Sequence, residues 1–275
     1  MGTVVSIQVD APAAAVSRAF EWFRQVEACC SRFDANSELR RLTPGEPVVA
    51  SPMLFEAVRF ALKVAEATEG AFDPTVGRRM AARGFNRHYV TRETTQTLGD
   101  EAATFRDVVL DEARRTIQLN RPLTLDLGAV AKGLAVDAAA RELQSFRDFS
   151  IDAGGDIYFA GRNPQGEPWS VGVRHPRQRD ALIERLRVSD QAVCTSGDYE
   201  RDGHILDPRD GATAQSLASA TVVAPTTMLA DALATAAFVL GADRGIALLE
   251  RMGVHGLLVT SAVECHRTQN FPSHA

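Results

Sequence analysis

Between residues 149 and 223 the chain offers one short strand-like run after another, at 149–159, 169–173, 183–188, 192–195, 204–206 and 218–223. No helical pattern separates them. Strands joined by short turns pair antiparallel, which rules out a regular alternation of strand and helix around a parallel sheet. Outside this block the pattern is mixed. Val5, Ile7 and Val9 fall on one face at period two, and 108–110 with 116–119 form two further runs that pair through the polar 111–115. Leu123 to Leu127 alternates as a strand and runs into Gly128.

Helical spacing shows where the covering layer comes from. After Pro12, Val16, Phe20, Phe23 and Val26 recur on one face. Ser51-Pro52 reads as an N-cap followed by proline in the first turn, before the stripe Leu54, Val58, Leu62 and Ala65 and the C-terminal Gly70. Residues 130–143, 228–240 and 244–252 are helical, and 256–260 is a closing strand. The polar stretch 85–104 has no period and reads as a surface excursion over a site. The class expected is therefore α+β, with largely antiparallel sheet covered by helices.

A chain of 275 residues suffices for one large domain or two intimately packed lobes. We expect a single domain over 1–263 and a polar, disordered tail over 264–275. A net charge of −5 with pI ≈ 5.7 argues against a life on nucleic acid or an acidic membrane face. The four cysteines, Cys29, Cys30, Cys194 and Cys265, contain no CxxC pair and read as reduced, mostly buried thiols. With no membrane-length apolar run and no leader in the sequence as written, the expected location is the cytoplasm; a removed leader or lipoprotein signal would leave the same sequence.

Five segments carry candidate chemistry. In Asp231-Ala232-Leu233-Ala234-Thr235 a carboxylate and a hydroxyl four apart share one helix face, and both offer hard oxygen suited to Mg²⁺ or Ca²⁺. Taken alone they also fit an aspartate serving the helix dipole and a threonine bonding its own i−4 carbonyl. In Asp126-Leu127-Gly128-Ala129-Val130-Ala131-Lys132-Gly133 a strand ends at a helix start. There exposed N–H groups and a lysine can meet an anion, or simply form a tight turn. Asp152-Ala153-Gly154-Gly155-Asp156 reads as a bulge or a close approach of ligand. Thr195 to Tyr199, with His204 to Gly211, crowds hydroxyls, a histidine and carboxylates into a hairpin. Ser196 lacks the GxSxG elbow of a hydrolase. Gly70-Ala71-Phe72-Asp73-Pro74-Thr75-Val76-Gly77 is a rigid turn whose Phe72 fits either a core or an aromatic ligand.

Taken in chain order, these segments resemble the ApbE family of flavin transferases, with the likeness running from Met1-Gly2-Thr3 to about Thr260. Ser31-Arg32-Phe33-Asp34 with Ser37-Glu38-Leu39 resembles the family's early motif, where tyrosine is frequent at the place of Phe33. Ala129 stands where a glycine is frequent. The resemblance implies a bilobal α+β fold that uses FAD and Mg²⁺ to attach FMN, through a phosphoester, to a threonine or serine of an acceptor flavoprotein, releasing AMP. It implies metal ligands at Asp231, Thr235 and the backbone carbonyl of Ala129. It implies FAD contacts at Met1, Phe33, Ala71, Phe72, Asp73, Asp126, Lys132 and Ile205, and activation of the incoming hydroxyl by His204. Two rival expectations remain: hydrolysis of FAD to FMN and AMP at the same site, and flavin binding without catalysis.

Overall fold

The computed structural model describes residues 2–97, 99–199 and 205–273. Its frame is a seven-stranded sheet in the order β1 (Val5–Val9), β5 (Phe149–Ala153), β6 (Ile157–Ala160), β9 (Gln191–Gly197), β10 (Leu217–Ala224), β11 (His255–Thr260) and β12 (Cys265–Arg267). Every neighbouring pair in it is antiparallel. A three-stranded sheet joins β2 (Val48–Val49), β4 (Thr116–Leu119) and β3 (Val108–Asp111), and a two-stranded ribbon joins β7 (Trp169–Arg174) to β8 (Leu182–Val188).

The large sheet is covered on both faces, which is why β10 is buried at every position instead of alternating. Period two divides its side chains between two cores. Ala192 and Cys194 of β9, Ala220 and Val222 of β10 and Leu258 of β11 face the helices α1 (Ala13–Cys30), α2 (Pro52–Ala67), α4 (Gly128–Leu143) and α5 (Thr227–Leu240). Val193, Val223, Leu257 and Val259 face the β7–β8 ribbon, where Trp169 and Leu186 complete a second, smaller core. The short α3 (Gly77–Ala82) and α6 (Ala242–Arg251) complete the helical set of the described residues, α6 packing on α5 and β11. No helix among them is long and apolar enough to cross a membrane.

The α+β reading with antiparallel sheets holds, and four local expectations change. Residues 149–159 form two strands, not one with a bulge. Gly154 and Gly155, at φ 70° and 94°, make the two-residue turn of the β5–β6 hairpin. Residues 123–127 form no strand, because their polar backbone bonds to a loop: Gly77 N–H donates to Thr124 O and Asp126 N–H to Pro74 O. Residues 205–206 contribute one isolated bridge, Leu206 to Thr213. The segment read as a disordered tail supplies the edge strand β12, paired to β11 through Leu257–Arg267, Leu258–His266 and Val259–Cys265.

Candidate functional site

The floor of the site is made where α4 and α5 cross. Thr226 caps α5, its hydroxyl accepting from Leu229 N–H at 3.4 Å. A second cap comes from the neighbouring helix: the Asp137 carboxylate of α4 accepts the N–H groups of Thr227 (2.7 Å) and Met228 (3.0 Å). Gly133 lets the helices close this far. A Cβ there would lie 2.5 Å from Met228 N, inside any permitted contact. One turn into α5, Asp231 is thereby set against Lys132 of α4.

The start of α4 is shaped as tightly. Asp126 Oδ1 accepts the Gly128 N–H at 2.8 Å, and its Oδ2 accepts Arg32 Nε at 2.7 Å. Ala129 departs from helical geometry at φ −92°, ψ 18°. That ψ turns its carbonyl by about 60° from the helix ladder.

Above this floor opens a cavity of about 540 Å³, within the range of small-molecule sites. It brings together every sequence-expected residue that is described: Phe33, Ala71, Phe72, Asp73, Asp126, Ala129, Lys132, Ile205, Asp231 and Thr235. Met1 and His204 lie outside the described residues. Phe85, Arg87 and Tyr89 of the polar excursion form part of its wall.

The electrostatic centre is a buried triad. Lys132 Nζ lies 2.6 Å from Asp156 Oδ2 and 3.0 Å from Asp231 Oδ2. Both acids are buried, and Asp156 Oδ2 has no partner in hydrogen-bond geometry among the described residues. Burial and the neighbouring Asp156 charge push the Asp231 carboxyl up to about 7, against the pull of Lys132. Burial also works against the Lys132 ammonium, but the two carboxylates outweigh it and hold its pKa above the ordinary lysine range. Thr235, one turn beyond Asp231, shares a 3.3 Å hydrogen bond with Ser196 of β9 rather than turning back on its own helix.

Two expected ligand contacts already serve the protein itself. Asp73 Oδ1 accepts from the Thr75 N–H and hydroxyl, and its Oδ2 from Phe105 N–H. Burial raises its pKa even so. Asp126 is likewise engaged at both oxygens.

Among the polar residues that join the site without having been assigned there from sequence are Asp156, Ser196 and Arg32. Asp156 belonged to a recognised glycine-aspartate segment, yet its pairing with Lys132 crosses from a hairpin to a helix and leaves no periodic trace. Arg32 is 3% exposed, stacks its guanidinium 4.1 Å from the Phe33 ring centroid and donates to Phe85 O.

Comparison with known proteins agrees with this architecture. The chain matches the ApbE family over residues 1–258. The FAD:protein FMN transferase of Vibrio cholerae is 31% identical, over 94% of this chain and 85% of that protein. That of Treponema pallidum is 34% identical, over 90% and 77%. Among solved structures, the ApbE protein of Thermotoga maritima superposes with TM-score 0.84 at 31% identity, covering 97% of this chain and 93% of the other. The flavin transferase ApbE of Vibrio cholerae gives 0.85 at 28%, covering 98% and 95%.

Proposed function

Because the chain belongs to the ApbE family, we propose that it transfers the FMN half of FAD to a threonine or serine hydroxyl of an acceptor flavoprotein, in a Mg²⁺-dependent reaction that releases AMP. The observation that carries this reading is the triad of Lys132, Asp156 and Asp231 at the floor of a cavity walled by Phe33 and Phe72. The cavity thus offers aromatic surface for a flavin and a charged floor for a pyrophosphate.

The donor set fits a hard dication. The Asp231 carboxylate, the Thr235 hydroxyl and the turned carbonyl of Ala129 are all oxygen, and two buried carboxylates, Asp156 and Asp231, share the one ammonium of Lys132. Asp231, Thr235 and the Ala129 carbonyl would hold the ion. When bound, Mg²⁺ supplies charge neutralisation at the pyrophosphate.

The protein's own groups do the rest. The Lys132 ammonium meets negative charge that would otherwise repel an incoming nucleophile. The half-buried Phe33, backed by the Arg32 guanidinium, offers a face on which an isoalloxazine can lie, and the buried Phe72 lines the same cavity. The acceptor hydroxyl oxygen bonds to the FMN phosphorus while the bond from that phosphorus to the bridging oxygen breaks. AMP departs with the bridging oxygen. The hydroxyl proton passes to a base, for which His204 is the proposed residue. Ile205, its neighbour in sequence, lines the cavity.

The test incubates purified protein with FAD, Mg²⁺ and a candidate acceptor, followed by mass spectrometry of the acceptor and quantitation of free FMN. An FMN-sized adduct on threonine or serine is expected. Free FMN and AMP in equal amounts, with no adduct on any acceptor, would make the protein a pyrophosphatase instead. Asp231→Asn should abolish adduct formation at limiting Mg²⁺ with the fold intact. His204→Asn should slow the chemical step by about 10²-fold or more while FAD binding persists. A His204 variant that loses only FAD affinity would make it a binding residue.

A further inference from the structure

The triad sets a conflict that follows from its geometry. Asp231 Oδ2 already carries an ammonium at 3.0 Å, and Asp231 is also the carboxylate proposed to receive the dication. Two cations on one carboxylate repel each other, and burial strengthens the effect because little water screens them. With both carboxylates ionised the triad sums to one negative charge, and the ammonium rests between them without any ion.

The three members are not equally free to yield. Asp231 is fixed one turn into a helix that is capped twice. Asp156 is fixed at the end of the Gly154-Gly155 turn, where its carbonyl accepts the Ala153 N–H at 3.0 Å. Lys132 has a flexible four-carbon stem and keeps 28% of its side chain exposed toward the cavity. The ammonium is therefore the member that moves; the shorter of its two carboxylate contacts is the one to Asp156, and a longer one runs to Gly128 O at 3.5 Å.

We propose that Lys132 holds the cation's place in the metal-free protein, and that Asp156 is the positioning residue that retains the ammonium in the cavity when a dication takes Asp231. This rests on the reading that Mg²⁺ binds at Asp231 and Thr235. Cation entry then turns the ammonium away from Asp231 toward the space where the pyrophosphate lies, so one binding event readies both positive charges. Without Asp156 the released ammonium keeps only its 3.5 Å contact with Gly128 O and turns toward solvent.

The experiment uses the full chain without FAD. Lys132→Met keeps the length of the side chain and removes its charge. Calorimetric titration with Mg²⁺ is expected to show binding about tenfold tighter than in the wild type. Equal or weaker binding would overturn the proposal. Should that variant fail to fold, the wild type itself decides. The chain contains two lysines, Lys63 and Lys132, and Lys63 is exposed, so side-chain ¹⁵N spectra carry two ammonium signals. Saturating Mg²⁺ is expected to shift the Lys132 signal and leave that of Lys63 in place, and an unmoved Lys132 signal overturns the exchange. In Asp156→Asn the Mg²⁺-loaded Lys132 signal is expected to coincide with that of exposed Lys63. A signal unchanged from the wild type would refute the role given to Asp156. None of these measurements involves flavin, so failed transfer and failed exchange are told apart.

Discussion

Arg32 shows how much of this site depends on a single side chain whose motif was legible and whose role was not. Its Nε donates to Asp126 Oδ2 at 2.7 Å, its Nη2 to Phe85 O at 2.6 Å, and its Nη1 has no hydrogen-bond partner among the described residues. It thus ties the start of α4 to the polar excursion and backs the Phe33 ring. Removing it leaves the Asp126 carboxylate half-paired in a largely buried place. Breaking one side of a buried ion pair costs about 3 kcal/mol, much more than an exposed pair is worth. Arg32→Met is expected to lose about that much in urea unfolding. Arg32→Lys should recover only part of it, since an ammonium cannot reproduce the planar fork. A loss below about 1 kcal/mol in Arg32→Met would mean that the pair is solvated.

At the scale of elements, the packing of α4 on α5 decides the site, and Gly133 decides the packing. On an exposed helix, glycine to alanine stabilises by roughly 1 kcal/mol through propensity alone. Here the added Cβ meets backbone of Thr227 and Met228, which cannot rotate aside. Overpacking of this kind costs about 1–3 kcal/mol, so the sign reverses. Gly133→Ala is expected to lower thermal stability, and a raised melting temperature would show that α5 yields freely. The helices themselves were legible because their signals are local. Ser51-Pro52 lies within a few turns of the stripe it precedes, and the apolar run of α5 is itself only a few turns long. The 123–127 segment was not legible, because alternation announces a strand whether or not a partner strand arrives. Its backbone bonds to the Pro74–Gly77 loop instead. The site residues were found by resemblance along the chain. Asp156 escaped because its meaning lies in a contact with Lys132, 24 positions away.

At the scale of the whole molecule, an ion pair adds to the second core in joining the ribbon to the large sheet. Glu184 of β8 meets Arg267 of β12 at 2.9 Å, and the Ser273 hydroxyl donates to the same oxygen at 3.2 Å. The ribbon is thus fastened to the edge strand of the large sheet. Burial pushes the Glu184 pKa up, but Arg267, the Arg185 N–H and Ser273 outweigh it and hold the carboxyl below the ordinary 4.5. A depressed carboxylate contributes stability above its unfolded value and loses it as the pH falls through the folded one. Hydrogen exchange at Cys265–Arg267, corrected for intrinsic rate, is therefore expected to accelerate below about pH 4.5. Glu184→Gln should show the acceleration already at neutral pH. Unchanged exchange in that variant would mean that the ion pair does not hold β12, which its ladder with β11 and its packing on the second core then secure.

The triad also has a temporal side. Its members come from α4, the β5–β6 hairpin and α5, so the protein possesses none of its central chemistry until the last of these has been made. A nascent chain emerging from the ribosome presents Lys132 first, then Asp156, and Asp231 only after most of the sequence has been translated. Until that moment the floor holds at most the Lys132–Asp156 pair and lacks the carboxylate proposed to receive the ion.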